Sequence, residues 1–209
     1  MKSHPIFACF YGVLVALAER GELGRRRRDL LARATGTVVE VGAGTGENFK
    51  HYRSTVERVL AAEPDPTMLR LARRRAEAAP VPVVLVEAAG ERLPFPDACA
   101  DTAVVTLVLC SVDDPPAAVG ELRRVLRPGG SLLFMEHVRA REAGLARWQD
   151  RLAGVWSRMA GGCRPNRRTV AALEAAGFDL AETEAYDLRP GVPIVRPHVQ
   201  GVARPPRPG

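Results

Sequence analysis

The chain has 209 residues, 46% of them hydrophobic and 26% charged, enough to bury one full core but not to supply a second catalytic domain. Its formal charge of +6 rests almost wholly on arginine, Lys2 and Lys50 being the only lysines. It is spread along the chain without an aromatic platform, so no nucleic-acid partner is expected. Cys9, Cys99, Cys110 and Cys163 form no C-x-x-C pair; that usage fits reduced thiols in a cytoplasm and offers no clustered ligands, so no metal is expected.

Residues 1–34 read as two helices forming an N-terminal lid. Phe7, Phe10, Tyr11, Leu14 and Leu17 recur at helical spacing, Gly21 and Gly24 break the run, and Leu30 and Leu31 mark the second helix. The aromatic positions suit either packing on a sheet or closure over a ligand. The run Ile6 to Leu17 lacks a cleavage-site pattern and is shorter than the roughly 20 residues that span a bilayer. It is read as a docking helix, not a transmembrane segment, with peripheral membrane contact left open. Arg25 to Arg28 has two readings, a solvated helix face or a site for an anionic partner.

The stretch Val38-Val39-Glu40-Val41-Gly42-Ala43-Gly44-Thr45-Gly46-Glu47-Asn48 organises the rest of the chain. Its valines suit a strand covered on both faces, and glycines at alternate positions allow a tight turn and close approach to a ligand. The loop is expected to open a helix. Further strands are read at 56–62, 81–86, 103–109 and 131–138, alternating with helices at 68–79 and 115–126. The fourth strand, apolar except for Thr106, is expected to be central. This alternation demands a parallel, doubly wound α/β sheet.

Helices come next at 145–159, with Trp148, Leu152 and Trp156 on one face, and at 166–176. Two closing segments, 180–186 and 199–202, read as a hairpin on one sheet edge. The expected fold is thus a Rossmann-like, mostly parallel sheet of seven strands with a closing antiparallel strand, plus N-terminal helices. It makes one domain, 1–204, comprising the lid (1–34), a cofactor-binding core (37–138) and acceptor-side helices with the closing hairpin (139–204). Residues 205–209 are expected to be a disordered tail.

A dinucleotide fingerprint requires G-x-G-x-x-G, but Gly42, Gly44 and Gly46 alternate and Glu47 stands at the third glycine's place. A carboxylate there suits a pyrophosphate badly, because that site uses the positive end of a helix dipole. The form E-V-G-x-G-x-G, with no phosphate-compatible cation nearby, resembles S-adenosylmethionine binding. Glu63, closing the second strand roughly 20 positions beyond the loop, has the place of a ribose-binding acid. A surface carboxylate is the plainer alternative.

With the loop and Glu63, Glu91-Arg92-Leu93-Pro94-Phe95-Pro96-Asp97 and Leu126-Arg127-Pro128-Gly129-Gly130 resemble class I S-adenosylmethionine-dependent methyltransferases over about residues 37–204. The resemblance implies that Glu40 helps hold the methionine amino group, that Gly42, Ala43 and Gly44 pass under the carboxylate end, and that Gly90 and Glu91 border adenine. Gly46, Pro64, Met68 and Leu107 complete the cofactor side. Many members carry an Asp before the adenine loop where this chain has Ala89, so adenine recognition must lean on main-chain groups. Thr106-Leu107-Val108-Leu109-Cys110-Ser111-Val112, Phe134-Met135-Glu136-His137-Val138, Gly162-Cys163 and Val195-Arg196-Pro197-His198 are more narrowly similar to small methyltransferase-like thiol S-methyltransferases, which are membrane-associated in animals. Their long apolar anchor is replaced here by the shorter Ile6 to Leu17 run.

Ligands of a doubly wound sheet lie outside the carboxyl ends of its strands, which puts Leu107 to Ser111, Glu136 and His137 on the acceptor side. The substrate-side set is Tyr11, Cys110, Ser111, Cys163, Arg196 and His198. His137 is the candidate catalytic base, with a structural hydrogen-bonding histidine as its alternative; Cys110 either lines the pocket or fills core. The expected activity is methyl transfer from S-adenosylmethionine, with S-adenosylhomocysteine as product, to a small-molecule acceptor, a thiol among the candidates. A non-catalytic S-adenosylmethionine-binding protein and a nicotinamide-dependent oxidoreductase are the alternatives.

Overall fold

The computed structural model describes residues 20–189 and 191–206. Tyr11, the Ile6 to Leu17 run and residues 207–209 lie outside them. In chain order the elements are α1 (Glu22–Leu31), β1 (Gly36–Val41), a 3-10 turn (Phe49–His51), β2 (Val56–Ala62), α2 (Pro66–Glu77), β3 (Val83–Val86) and β4 (Ala100–Thr106). Then come α3 (Pro115–Val125), β5 (Leu126–His137), α4 (Ala143–Met159), α5 (Thr169–Ala175), β6 (Asp179–Asp187), a 3-10 turn (Pro193–Val195) and β7 (Pro197–Arg204).

Neighbouring residues on the central strands point to opposite faces and bury on both. Val39, Val105, Leu132 and Phe134 join one apolar cluster with Ala118, Val119 and Leu122 of α3 and Leu173 of α5. Val38, Val104, Leu133 and Met135 join the other with Leu23, Leu30 and Leu31 of α1 and Ala72 of α2. Strands covered on both faces read as continuous apolar runs, which is the pattern of β1, β4 and β5. Among the described residues no helix is long and apolar enough to cross a membrane.

The sheet order is β3-β2-β1-β4-β5-β7-β6, with β4 in the middle as expected. The first five strands pair in parallel, and β7 runs antiparallel to both β5 and β6. The order reverses between β1 and β4, and that switch point is where doubly wound sheets open a crevice for ligands.

Three expectations are corrected. The glycine loop opens turns and a 3-10 turn, not an α-helix, because Gly42, Gly44 and Gly46 all hold positive φ and interrupt any helical run. β4 stops at Thr106, not at residue 109, since Leu107 takes φ +59° and leaves the strand. β5 begins at Leu126, and Pro128-Gly129-Gly130 forms an irregularity within its pairing to β4, between Ala100↔Leu126 and Thr102↔Ser131. Asp65 and Asp114 cap α2 and α3 just ahead of their prolines, Asp65 accepting from the Thr67 and Met68 amides and Asp114 from Ala117.

Candidate active site

At the carboxyl end of β1 the chain turns on the amides of Gly42 and Ala43, which both donate to the Ala62 carbonyl, at 2.8 and 3.1 Å. A Cβ on Gly42 would stand 2.4 Å from Val108 Cγ2, so the loops after β1 and β4 abut at the switch point. A Cβ on Gly46 would meet the Phe49 ring at 2.6 Å, whereas one on Gly44 would meet nothing within 4 Å. Gly44 therefore faces open space while its neighbours are locked in packing. Its amide donates to Glu63 Oε2 at 2.9 Å, and Glu63 Oε1 takes the Asp65 amide at the same distance. Burial raises the Glu63 pKa above the ordinary carboxylate value against the lowering effect of these two amides. Glu63 is thus no free surface carboxylate, being 7% exposed at the loop edge.

A cation does lie beside this loop, contrary to the sequence reading. Arg75 pairs with Glu47 at 2.6 Å and donates to the Thr45 carbonyl at 2.6 Å, and Lys50 holds the other Glu47 oxygen at 3.2 Å. Glu47 occupies these charges, so they serve as a clamp on the loop.

Beneath the loop runs a buried polar chain. Glu40 accepts from Tyr52 Oη at 2.6 Å and from Asn48 Nδ2 at 3.0 Å. Asn48 Nδ2 also reaches Thr106 Oγ1, and Arg27 donates to the Asn48 side-chain oxygen and to Thr106 Oγ1, the latter at 2.9 Å. Burial pushes the Glu40 pKa up to about 7 despite the hydrogen bonds from Tyr52 and Asn48. Of the arginine run, Arg25 and Arg28 are exposed, but Arg27 is buried in this chain and Arg26 lies 3.7 Å over the Tyr186 ring. The solvated-face reading holds for only half of the run.

Across the switch point, Leu107 begins a tight loop whose next three amides, from Val108, Leu109 and Cys110, donate to the fully buried Glu136 carboxylate at 2.8, 3.0 and 3.3 Å. Burial raises the Glu136 pKa to about 7 against those donors. The loop delivers Cys110 to His137, the last residue of β5, and to Cys163 in the turn after α4. Cys110 Sγ, a His137 ring nitrogen and Cys163 Sγ all lie within 4.8 Å of one another. Cys163 Sγ is 3.0 Å from His137 Nε2 and receives the Trp156 indole N–H at 3.1 Å. Hydrogen bonding from Cys110 holds the Cys163 thiol below its ordinary pKa, hydrogen bonding to Cys163 together with burial holds Cys110 above it, and His137 is raised because Cys163 outweighs the burial that opposes its charge.

A methyltransferase domain model matches residues 39–134. Human thiol S-methyltransferase TMT1A is 37% identical over 171 residues, covering 80% of this chain and 70% of that protein. The chain belongs to the class I S-adenosylmethionine-dependent methyltransferases. Human thiol S-methyltransferase TMT1B is 33% identical over 218 residues, 95% of this chain and 87% of its own length. In fold alone, a methyltransferase from Aquifex aeolicus superposes with a TM-score of 0.66 at 16% identity, covering 97% of this chain and 98% of the other.

In this methyltransferase the expected cofactor-side residues Gly42, Ala43, Gly44, Gly46 and Glu63 gather on one edge. Met68 is buried in the first turn of α2, and Pro64 is half-buried next to Glu63. Glu40 stands behind the loop, 1% exposed, with both oxygens engaged. Gly90 is buried, and its missing Cβ leaves room for Val41 Cγ1 at 2.8 Å. Glu91 ties its loop to the start of α3 by accepting from the Asp113 and Asp114 amides at 2.9 and 3.3 Å.

On the acceptor side, Ser111 Oγ lies 3.4 Å from Cys110 Sγ. His198 pairs with His137 across β5 and β7 and stacks on Tyr186 at 5.4 Å; burial lowers its pKa to about 4, and its Nδ1 lies 2.8 Å from the Arg196 carbonyl. The Arg196 guanidinium turns to the Gly191 carbonyl at 2.8 Å, so it braces its own loop. Asn48, Tyr52, Arg27, Thr106 and Trp156 are site-supporting residues that sequence reasoning passed over. Thr106, the one polar residue in the apolar run 103–109, was the visible signal.

Proposed function

We propose that this methyltransferase transfers the methyl group to the sulfur of a small thiol. The observation that carries the reading is the placement of Cys110, His137 and Cys163 across the switch point from the open Gly44 edge. The names of the human relatives support it, as both are thiol S-methyltransferases related over most of this chain.

The residues present fit the cofactor. Gly44 offers the unobstructed backbone a ligand needs, and Glu63 presents a carboxylate at that edge, able to exchange the Gly44 amide for ribose hydroxyls. Gly42, Ala43 and Gly46 shape the turn, Pro64 and Met68 flank the ribose side, Gly90 and Glu91 border the adenine end, and Leu107 faces the methyl end. Glu40 serves the amino end by holding Asn48 and Tyr52 in place beneath the loop. When bound, S-adenosylmethionine supplies a methyl group already activated as a sulfonium, so the chain's main task is alignment, worth on the order of 7–11 kcal/mol in favourable cases. Glu136 fixes the loop that carries Cys110, and Ser111, Arg196 and His198 set the walls around it. Cys99, Cys110 and Cys163 are free thiols, in keeping with a reducing, cytoplasmic setting.

The test is S-adenosylhomocysteine formation with a matched panel of a thiol, a phenol and a carboxylate. Turnover with the thiol alone is expected. Preference for the phenol or the carboxylate, or cofactor binding with no turnover, refutes the reading.

A further inference from the structure

We propose that Cys110, His137 and Cys163 form a Cys2His site for a thiophilic divalent ion of the zinc class, with a fourth position open to the thiol acceptor. The second part rests on the thiol reading above; the first stands on geometry alone.

Around a tetrahedral ion, with sulfur at about 2.3 Å and nitrogen at about 2.1 Å, ligand atoms stand about 3.6–3.8 Å apart. The three atoms here lie within 4.8 Å of one another, one pair at 3.0 Å, so each need move by less than about 1 Å to bind. The ligand set is soft and suits zinc over magnesium or calcium. Among the described residues no other group of three such side chains comes this close. Cys110 is fixed by the loop that Glu136 holds, His137 by the β5 to β7 pairing, and Cys163 by its amide, which donates to Ala160 at 3.0 Å. The Trp156 N–H on Cys163 Sγ is the kind of outer hydrogen bond that tunes a thiolate ligand. His137 Nδ1 is buried with no hydrogen-bond partner, and Nε2 meets Cys163, so the ring is held by one shared proton that an ion would replace.

No fourth protein ligand is on hand among the described residues. Glu136 is committed to three amides, and neither ring nitrogen of His198 joins the group of ligand atoms within 4.8 Å of one another. Three protein ligands with a fourth position left to water or substrate are the pattern of catalytic, not structural, zinc. A thiol entering that position gives up its proton to solvent and binds as thiolate, with the ion remaining divalent. Its sulfur lone pair then forms the new bond to the methyl carbon. The carbon–sulfonium bond breaks with its electron pair staying on the departing thioether, and the neutral methyl sulfide, a poor zinc ligand, leaves. On this assignment His137 is a ligand rather than a proton acceptor.

The experiment uses the full chain, reduced with a phosphine and freed of metal by a chelator, then titrated with zinc against a chromophoric competitor and with cobalt as an absorbing substitute. One equivalent per chain is expected, with sulfur-to-cobalt charge transfer. Cys163→Ser, at the half-buried rim, is expected to weaken binding by more than the roughly 10–100-fold that loss of an outer-shell partner causes. Retained S-adenosylhomocysteine affinity establishes that the variant is folded. His137→Asn is the second variant, expected to behave alike. No zinc retained against the competitor, or equal affinity in Cys163→Ser and the parent, overturns the site. Mercaptoethanol is expected to change the cobalt spectrum where ethylene glycol does not; a spectrum blind to the thiol overturns the open position. Stripped protein that methylates a thiol at full rate overturns the open position as the acceptor's seat and leaves the proposed function standing. Protein that holds zinc but methylates no thiol overturns the proposed function, and the open position with it, and leaves the ion site standing.

Discussion

Replacing Glu40 by Gln is expected to stabilise the protein above neutrality and to leave it nearly unchanged in acid. Glu40 is buried beneath the glycine loop, and its pKa stands at about 7 against an ordinary 4.5. The folded state therefore holds a proton that the unfolded chain has released, and stability falls as pH rises from about 4.5 to about 7, then levels off. At about 1.4 kcal/mol per pH unit, this gap costs the wild type about 3 kcal/mol at pH values above about 7. Gln mimics the protonated carboxyl, so it escapes that cost. It gives back about 1 kcal/mol because its amide can accept only one of the two hydrogen bonds that Tyr52 and Asn48 donate. Urea unfolding at about pH 5 and about pH 8 should show the variant within about 1 kcal/mol of wild type in acid and about 2 kcal/mol more stable in base. Comparing variant with parent at each pH cancels the other buried groups. A variant destabilised equally at both pH values would refute the reasoning, since it would mean that Glu40 is charged and well solvated throughout.

If the cofactor's ammonium draws on Glu40, S-adenosylhomocysteine binding near pH 7 should release a fraction of a proton, read as a buffer-dependent calorimetric enthalpy; the same heat in every buffer refutes it. Gly44→Val should abolish S-adenosylhomocysteine binding at a folding cost of about 1–2 kcal/mol, because its side chain enters open space at φ +55°. Gly42→Val should instead lower the melting temperature severely, its Cβ standing 2.4 Å from Val108, and equal effects of the two would count against the open edge. Glu136→Ala strands three inward amides and should cost several kcal/mol, at about 1–3 kcal/mol for each unsatisfied group. It should cut methyl transfer more than tenfold while cofactor affinity stays within a few-fold; the opposite split would mean that Glu136 serves the cofactor.

Strand positions were legible because burial on both faces writes β1, β4 and β5 as apolar runs, and the aspartates ahead of Pro115 marked the start of α3; α2 was read from residue 68, two residues late, although Asp65 caps it ahead of Pro66. The glycine loop was legible as a ligand edge, but which glycine faces the ligand depends on Val108 and Phe49, neither of which spacing reveals. Arg27 reads as solvated beside three other arginines. Its burial comes from Asn48 and Thr106, far along the chain, which give it acceptors inside the fold. Cys110, His137 and Cys163 were each named for the acceptor side, but that their ligand atoms meet was not legible: they lie in three separate elements, and local periodicity carries no information about pairs so distant in sequence.

The place of β7 between β5 and β6 has a consequence for the order in which the molecule can be made. β1 to β5 come first in the chain and hold the switch point among themselves. β6, though synthesised before β7, has no native neighbour until β7 is made, because the β5 edge belongs to β7. The Tyr186–His198 pair and the His198–His137 pair both depend on that last strand. A chain ending before residue 197 keeps the switch point between β1 and β4 but lacks the strand that stands beside His137.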